Sequence, residues 1–560
     1  MSERIFIGVA WPYANGPLHL GHIAGAYLPA DIFARYHRLR GNTVLMVSGS
    51  DQHGAPITIR AEQEGTTPQE VAARYHQQFV DCWKRLGISF DLFTTTGTAN
   101  HTQVTHDIFL ALLNKGYIYK DEMLQAYCPN CQRFLPDRYL EGTCPNCGFP
   151  EARGDECDQC GKPLNPGELK SLRCRICATS PRFESSEHFF LRLSAFQDRL
   201  AAWVKEQAHW RHNVVAATWK FLDEGLRDRA ITRDLNWGVA VPQPGFEHKR
   251  IYVWIEAVIG YLSASKEWAK MQGDDDGWKA FWQDDAKSFY FIGKDNIFFH
   301  TLIWPAMLMG YGGLNLPYDV PANEFLTIEG RKISTSRGWA IWLPDYLKRY
   351  EPDPLRYTLA ANMPETGDSD FSWHEFVRRN NNELVATYGN LAHRALTFAY
   401  RNFDGTVPVP GELDERSRSL LHEAETTLCS VDNLLHGCQF KEAIKRVMSL
   451  AQESNRYLEE QAPWKTIKTE RETSAKSVYT VLSVLAALKT VFYPFLPLSS
   501  ERLHAFLGFD GSVKEGGWKT QFLPPGQKLR EPQPLFVKLD EDIVIEESSR
   551  LGFAKENEQE

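Results

Sequence analysis

The stretch "IFIGVAWPYANGPLHLGH", Ile5 to His22, decides the fold. Its first seven residues are apolar and β-branched in character, which suits a buried strand. Asn15 and Gly16 form a turn signal, and Pro17 suits the first turn of a helix. The stretch reads as strand, loop and helix start. His19 and His22 then share one face of the first helical turn. Helix N-termini carry unpaired N–H groups and the positive end of the helix dipole, so two imidazole donors beside them would make a phosphate site. From this stretch alone, metal ligation and a pair of ordinary surface or core histidines stay open beside that reading.

The same alternation continues outward. "NTVLMVSGSD", Asn42 to Asp51, reads as a second buried strand, and Thr67 to Gly87 reads as a helix. The pattern is that of a parallel α/β domain. From about Tyr117 to Gly238 a cysteine-rich segment interrupts it. The α/β signal resumes with "RIYVWIEAVIGYL", Arg250 to Leu262, then "SFYFIGKDNIFFH", Ser288 to His300, an apolar strand with a "GKD" turn and a helix start. "NEFLTIEG", Asn323 to Gly330, reads as a further strand, followed by "RKISTSRG". In doubly wound sheets ligands bind outside the carboxyl ends of the strands. Those ends here carry His19 and His22, Asp51, Gly293 to Asp295, and Lys332 to Ser336, which favours the phosphate reading of the histidines.

The chain has 560 residues, 43% hydrophobic and 24% charged, with a formal net charge of −9. These values fit a soluble globular protein of several domains and exclude a nucleic-acid binder held by bulk positive charge, though a local basic face would suffice for one. "MSERIFIGVA" lacks a basic region and a long apolar core, so no signal peptide is expected. The longest apolar run, "VLSVLAALKTVFYPFLPL" from Val481 to Leu498, is interrupted by Lys489 and two prolines, and reads as a buried helix and its exit rather than a membrane span. A cytoplasmic location with reduced thiols is the expectation.

Eight of the eleven cysteines form four Cys-x-x-Cys pairs. The two-residue spacing lets both sulfurs of a pair meet one tetrahedral Zn²⁺, and two pairs complete a Cys₄ site. Cys144, Cys147, Cys157 and Cys160 make one natural knuckle. Cys128, Cys131, Cys174 and Cys177 close an outer one, in a nested arrangement. Four thiolates per site leave no open coordination position, so two structural Zn²⁺ are expected to hold an insertion with little apolar core of its own. Cys82, Cys429 and Cys438 are isolated and read as small core residues.

From about Asp345 no strand-like run stands out until the tail. "NNNELVATYGNLAHRALTFAYRNF", Asn380 to Phe403, has a helical apolar period, and this half reads as an all-α bundle. "GDDDG" and the terminal "ENEQE" read as a solvated loop and a frayed tail. "LFVKLDEDIVIEE", Leu535 to Glu547, is one strand-like run.

Together "WPYANGPLHLGH", "GSDQHGAP", the four cysteine pairs, "YVWIEAVIGYL", "FIGKDNIFFHTLIWPAML", "GRKISTSRG" and "EEQAPWK" resemble, in order and over nearly the whole chain, the methionyl-tRNA synthetase family of class I aminoacyl-tRNA synthetases. The resemblance implies a Rossmann-like parallel-sheet catalytic domain interrupted by a zinc-binding insertion and followed by an all-α anticodon-binding helical bundle. The expected division is 1–116 and 239–325 for the two halves of the catalytic domain, 117–238 for the insertion, 326–388 for a signature-loop and stem-contact region, 389–510 for the bundle and 511–560 for a C-terminal extension. The implied reaction has two steps. The methionine carboxylate attacks the α-phosphate of ATP, which enters with Mg²⁺, giving methionyl-adenylate and pyrophosphate. The 3′ end of tRNA(Met), initiator or elongator, then takes the methionyl group.

The resemblance also implies residue roles. "HLGH" corresponds to the class I HIGH signature, so His19 and His22 hold ATP phosphates and stabilise charge at the α-phosphate. Gly293 and Asp295 contact the nucleotide ribose. Lys332 is a pyrophosphate clamp on the signature loop. That loop departs from KMSKS at Ile333 and at Thr335, which stands where the second lysine is usual. Thr335 offers a hydroxyl without charge, and Arg337 is expected to supply the second charge because its planar fork suits phosphate oxygens. Asp51 anchors the amino group of methionine. Trp11, Tyr13, Trp254, Ala257, Tyr261 and His300 line the side-chain pocket, where a thioether gains from aromatic neighbours. Trp11 stands where Leu is usual and Val258 where Pro is usual. Asn390, Arg394 and Trp464 read the CAU anticodon.

The synthetases for leucine, isoleucine and valine are the nearest rivals, but they need a hydrolytic editing domain, for which this insertion leaves little room. Cysteinyl-tRNA synthetase needs a zinc with an open position, and these Cys₄ sets look closed. A zinc-ribbon RNA-binding protein without catalysis would lack amino-acid-dependent ATP–pyrophosphate exchange. One strand-like run is too little for an appended dimerisation barrel, so a monomer is expected, with no membrane partner.

Overall fold

The computed structural model describes residues 2–552 apart from 137, 138, 155, 156, 158, 161–163, 165 and 336. Ser336 of the signature loop and the terminal "ENEQE" therefore lie outside the described residues.

Strand Arg4–Val9 is the centre of a five-stranded parallel sheet, in the order Ala322–Asn323, Lys287–Gly293, Arg4–Val9, Thr43–Ser50, Leu92–Thr95. Ile5, Phe6, Ile7 and Val9 are all fully buried. The run is continuously apolar because helices cover both faces. Ile5 and Ile7 pack into the core formed with helix Leu28–Leu39 and the C-terminal bundle. Phe6 points the other way, into the core formed with helix Val253–Met271. The chain lays down two strands, Thr43–Ser50 and Leu92–Thr95, to one side of Arg4–Val9, then returns to place Lys287–Gly293 on its far side. The carboxyl ends of Arg4–Val9 and Lys287–Gly293 form the crevice where such a sheet takes its ligand.

Strands Ile118–Cys128 and Arg182–Leu191 form a long antiparallel arm, paired from Ile118 opposite Leu191 to Tyr127 opposite Arg182. The cysteines sit at its outer end around small cores such as Ala126, Leu135, Tyr139 and Leu140. Helices Asn390–Asn402, Glu415–His436, Phe440–Gln461 and Arg471–Phe492 form the bundle. Arg471–Phe492 is long and apolar enough to cross a membrane by composition, but 83% of its apolar window is buried inside the protein.

A buried ion pair keys the bundle to the catalytic sheet. Arg356 and Asp31 are fully buried, 2.6 Å apart. Arg356 also donates to the carbonyls of Phe495 at 2.7 Å and Pro494 at 2.9 Å. Burial alone would push the Asp31 carboxyl up; Arg35 and Arg356 instead hold it at about 2. Removing one partner of such a pair costs about 3–5 kcal/mol, because the other is left buried and uncompensated.

Local reading holds best where the end signals are local. Helix Pro68–Leu86 is capped by Thr67, whose side chain accepts from the Glu70 N–H, and ends on a left-handed Gly87. Five readings are corrected. The first helix begins at Leu20, not at Pro17, because Leu18 to Leu20 pair with Ile341 to Leu343 instead. "NEFLTIEG" is not one strand: Ala322–Asn323 ends the parallel sheet, and Leu326–Ile328 joins a separate sheet with Arg331–Lys332 and Ser369–Phe371. That last strand also lies in the half read as purely helical. "LFVKLDEDIVIEE" holds no strand; its end forms helix Asp542–Ser549. Asp542 favours a helix N-terminus, and the buried Glu547 is held by Arg349 and Tyr350, both at 2.8 Å. Cys429 is exposed, while Cys82 and Cys438 are buried; it falls on the outer face of its helix, between the inward Thr427 and Val431.

Candidate active site

Behind the first strand the chain bends through Pro12 and Pro17, and His19 flanks the helix that starts at Leu20. The two imidazoles stack, with ring centroids 3.7 Å apart. The His19 N–H donates to His22 Nδ1 at 3.1 Å, so a neutral His22 carries its proton on Nε2. Burial pushes His22 down to about 4. Burial, then the neighbouring His22, pushes His19 well down too. Both rings are therefore neutral N–H donors near pH 7, not cations. Gly21 lets this happen: a Cβ there would meet Ile333 Cδ1 at 2.8 Å and His19 Nδ1 at 3.0 Å. The two signature motifs touch across that missing side chain. After Ile23–Tyr27, a wide turn with i→i+5 hydrogen bonds, the helix continues as Leu28–Leu39.

His19 and His22 open on a cavity of about 550 Å³, within the range of small-ligand sites. It is lined by Trp11, Tyr13, Asp51, Trp254, Ala257, Tyr261 and His300, and also by Gly293, Asp295 and Lys332. The Trp254 indole N–H donates to the Tyr13 hydroxyl. Phe299, which sequence reasoning missed, sets its edge on the Trp254 ring at 4.8 Å. His300 gives its Nδ1 proton to the Asn296 carbonyl at 2.9 Å, and the Tyr261 hydroxyl donates to His300 Nε2 at 2.8 Å. Burial pushes His300 down to about 4, consistent with this neutral form.

Trp11 is seated by two glycines. A Cβ at Gly260 would lie 2.7 Å from its ring, and one at Gly49 would lie 2.3 Å from it. The sequence signal was present as two unexplained glycines in "SGSD" and "VIGYL", but nothing local joins them to Trp11. Gly293 serves Asp295 likewise, since a Cβ would meet its carboxylate at 2.7 Å.

Gly330 and Gly338 flank the signature segment, with φ of 72° and 65°, and strand Arg331–Lys332 opens it. Asp370 anchors its start by accepting from the Gly330 N–H at 2.8 Å. Arg331 stacks on Trp339 at 3.9 Å. Thr335 lies on an adjoining groove of about 1240 Å³ that shares Tyr13, His19 and His22 with the cavity and also carries Arg60, Arg74, Arg175 and Lys348. Arg337 is exposed and lines neither space.

The eight paired cysteines assemble as two sets, Cys128, Cys131, Cys174 and Cys177, and Cys144, Cys147, Cys157 and Cys160, with the sulfurs of each set within 4.8 Å of one another. Sulfur separations of 3.4 to 3.9 Å are near the ~3.8 Å that tetrahedral bonds of ~2.3 Å to Zn²⁺ require. In the bundle, Asn390 and Arg394 lie one turn apart on helix Asn390–Asn402. The Arg394 guanidinium stacks over Trp464 at 4.7 Å and pairs with Glu459 at 2.5 Å. Trp464 is 39% exposed beside the helix start at Pro463.

The family described as tRNA synthetases class I (M) matches residues 5–396, and the anticodon binding domain of methionyl tRNA ligase matches residues 407–556. The methionine–tRNA ligase of Dehalococcoides mccartyi (strain ATCC BAA-2266 / KCTC 15142 / 195) is 61% identical over 553 residues, covering 99% of this chain and 100% of that protein. That of Roseiflexus castenholzii is 53% identical over 587 residues, covering 98% and 99%. Among solved structures, Mycobacterium tuberculosis methionyl-tRNA synthetase in complex with methionyl-adenylate matches with a TM-score of 0.80 at 26% identity, over 96% of this chain and 100% of that one. Its apo form matches with a TM-score of 0.73.

Proposed function

The chain belongs to the methionine–tRNA ligases, class I tRNA synthetases, and from that premise we propose which of its residues carry the reaction. The ligase joins methionine to tRNA. The observation that supports the assignment is the convergence of Asp51, an aromatic pocket, two neutral histidines and Lys332 on one cavity.

Methionine seats its thioether among Trp11, Tyr13, Trp254, Ala257, Tyr261 and His300, and Asp51 takes its ammonium. ATP lies across the crevice with its ribose at Gly293 and Asp295; Mg²⁺ arrives with it as part of the substrate. A carboxylate oxygen of methionine attacks the α-phosphorus, and the bond to the β-phosphate oxygen breaks, releasing pyrophosphate. The N–H groups of His19 and His22 meet the oxygens on which charge develops. They donate without needing to be protonated, which their depressed basicity makes possible. Phosphoryl chemistry of this kind rests on positioning and electrostatics. The positive charge comes from Lys332, joined by Arg337 when the loop swings on Gly330 and Gly338. Thr335 adds a hydroxyl to the nucleotide site. The adjoining groove takes the 3′ end of tRNA(Met). Asn390 and Arg394 bond the edges of unpaired anticodon bases while Trp464 stacks on one, as single-stranded loops are usually read. Each Cys₄ set holds one Zn²⁺ whose chemistry is structural. The division into six segments given above follows these tasks, and the enzyme works in the cytoplasm as a monomer.

His22→Ala tests the core of this reading. It should slow adenylate formation about 10²- to 10³-fold, the cost of losing one donor to a developing charge, with methionine affinity measured without ATP unchanged. Equal losses in both would make His22 a wall of the methionine pocket instead.

A further inference from the structure

Beneath the methionine cavity lies a second set of titratable groups that the mechanism above leaves unused. Glu256, on the first turn of helix Val253–Met271, is fully buried. One of its oxygens is 2.8 Å from His53 Nδ1. The other, Oε2, has no hydrogen-bond partner among the described residues. His101, from helix Ala99–Asn114, faces that oxygen at 4.0 Å. At that distance the two make no hydrogen bond. His101 Nδ1 lies 2.9 Å from Ser263 Oγ, whose hydroxyl also reaches the Gly260 carbonyl at 3.0 Å, and His101 Nε2 lies 3.5 Å from the Thr105 hydroxyl. Burial, then His53, pushes His101 down to about 3, which keeps it neutral.

His53 joins this group to the substrate site. Its ring holds Glu256, while its backbone N–H donates to Asp51 Oδ1 at 3.2 Å. Asp51 is 2% exposed, at the end of strand Thr43–Ser50. Thr96 reaches the same oxygen at 3.5 Å. Of the titratable groups around it, Glu256 acts on it through space and His53 bonds it through the backbone, with His76 one residue back on Ser50 at 2.8 Å and Glu267 further along on Thr94 at 3.0 Å. Two carboxylates thus sit in one dry site, with a single histidine held between them.

We propose that Glu256, held by His53, is a positioning residue that governs the charge of Asp51, so that methionine binds by expelling a proton from it. The inference rests on Asp51 being the ammonium anchor. Burial first, and Glu256 second, push the Asp51 carboxyl well above the usual carboxylate range. Like charges in one site disfavour joint ionisation. The free site keeps Asp51 protonated. The arriving ammonium brings a full positive charge beside Asp51, Asp51 ionises against it, and its proton leaves to solvent. The device keeps an uncompensated charge out of the empty site and rewards a ligand that carries an amino group.

The test is calorimetric titration of the full chain with L-methionine, without ATP, between pH 5.5 and 8.0 (chosen to bracket neutrality), in buffers of different ionisation enthalpy. This counts protons released on binding, which a merely structural role would leave unmoved. The wild type should release a proton, with release fading as pH rises. In Glu256→Gln the fading should begin about one pH unit lower, the size of a modest like-charge interaction. His53→Gln should move it the same way, because a Glu256 carboxylate that has lost its hydrogen-bond donor ionises less readily and repels Asp51 less, and it serves if Glu256→Gln does not fold. An unchanged pH course in a folded, methionine-binding Glu256→Gln or His53→Gln overturns the coupling. Asp51→Asn should abolish the release and weaken binding at least tenfold. If it does neither, the anchor assignment itself falls.

Discussion

Gly260→Ala puts a stated strain on the methionine pocket. In an ordinary helix interior this change stabilises by about 1 kcal/mol. Here the new methyl would stand 2.7 Å from Trp11 Cζ2 and 2.8 Å from Cε2. The indole cannot retreat, because it already lies against Gly49, where a Cβ would be only 2.3 Å from Cζ3. The open direction is the cavity that Trp11 lines. Overpacking of this kind costs about 1–3 kcal/mol. If the ring moves into the cavity, that cost appears in methionine binding. At ~1.4 kcal/mol per tenfold, it corresponds to a rise of about 5- to 150-fold in the methionine KM. The ATP KM should stay within about twofold, since Trp11 is not among the ribose and phosphate contacts proposed above. The assay is ATP–pyrophosphate exchange with each substrate varied, beside a thermal melt. Gly260→Ala combined with Trp11→Leu should recover the methionine KM of Trp11→Leu alone, because the smaller side chain leaves room; a double-mutant cycle reads that coupling directly. A raised Tm with an unchanged methionine KM would refute the reasoning, as would a double variant no better than Gly260→Ala.

Three further outcomes follow from the site. On the signature loop, Lys332→Ala should slow single-turnover adenylate formation about 10²- to 10³-fold and Arg337→Ala should slow it as well; an unchanged rate in Arg337→Ala would show that one cation suffices. Metal analysis should find two Zn²⁺ per chain, and Cys128→Ser should lose one of them and weaken aminoacylation while the α/β core still melts cooperatively; one zinc or none in the intact protein would sink the two-site assignment. Trp464→Ala should leave pyrophosphate exchange near the wild-type rate and weaken tRNA binding by about 1–3 kcal/mol, the worth of stacking on one base; equal losses in exchange and charging would make Trp464 a folding residue.

Much of this protein is legible without its structure. The strand at Ile5, the helix between Thr67 and Gly87 and the four cysteine pairs announce themselves through spacing, caps and periodicity within a few residues. The physics there is local, so the sequence determines it directly. The glycine and polar residues at strand ends are equally visible, because a parallel sheet places its ligands there. Tertiary structure decided the rest. "NEFLTIEG" carries one apolar pattern yet serves two sheets, since the partners that pair with it, Gly293 and Ser369, lie far apart in the chain. The helix at Asp542 won over a β-branched run because the described residues offer it Arg349 and Tyr350 to hold Glu547 and no strand to pair with. Trp11 between Gly49 and Gly260, Gly21 beneath Ile333, and Glu256 against His53 are meetings of residues from distant segments. So is the lowered basicity of His19, His22, His101 and His300, which burial in the packed core determines first. No window of sequence encodes such a contact, because its energy exists only once the packed core has brought both sides within a few ångströms of each other.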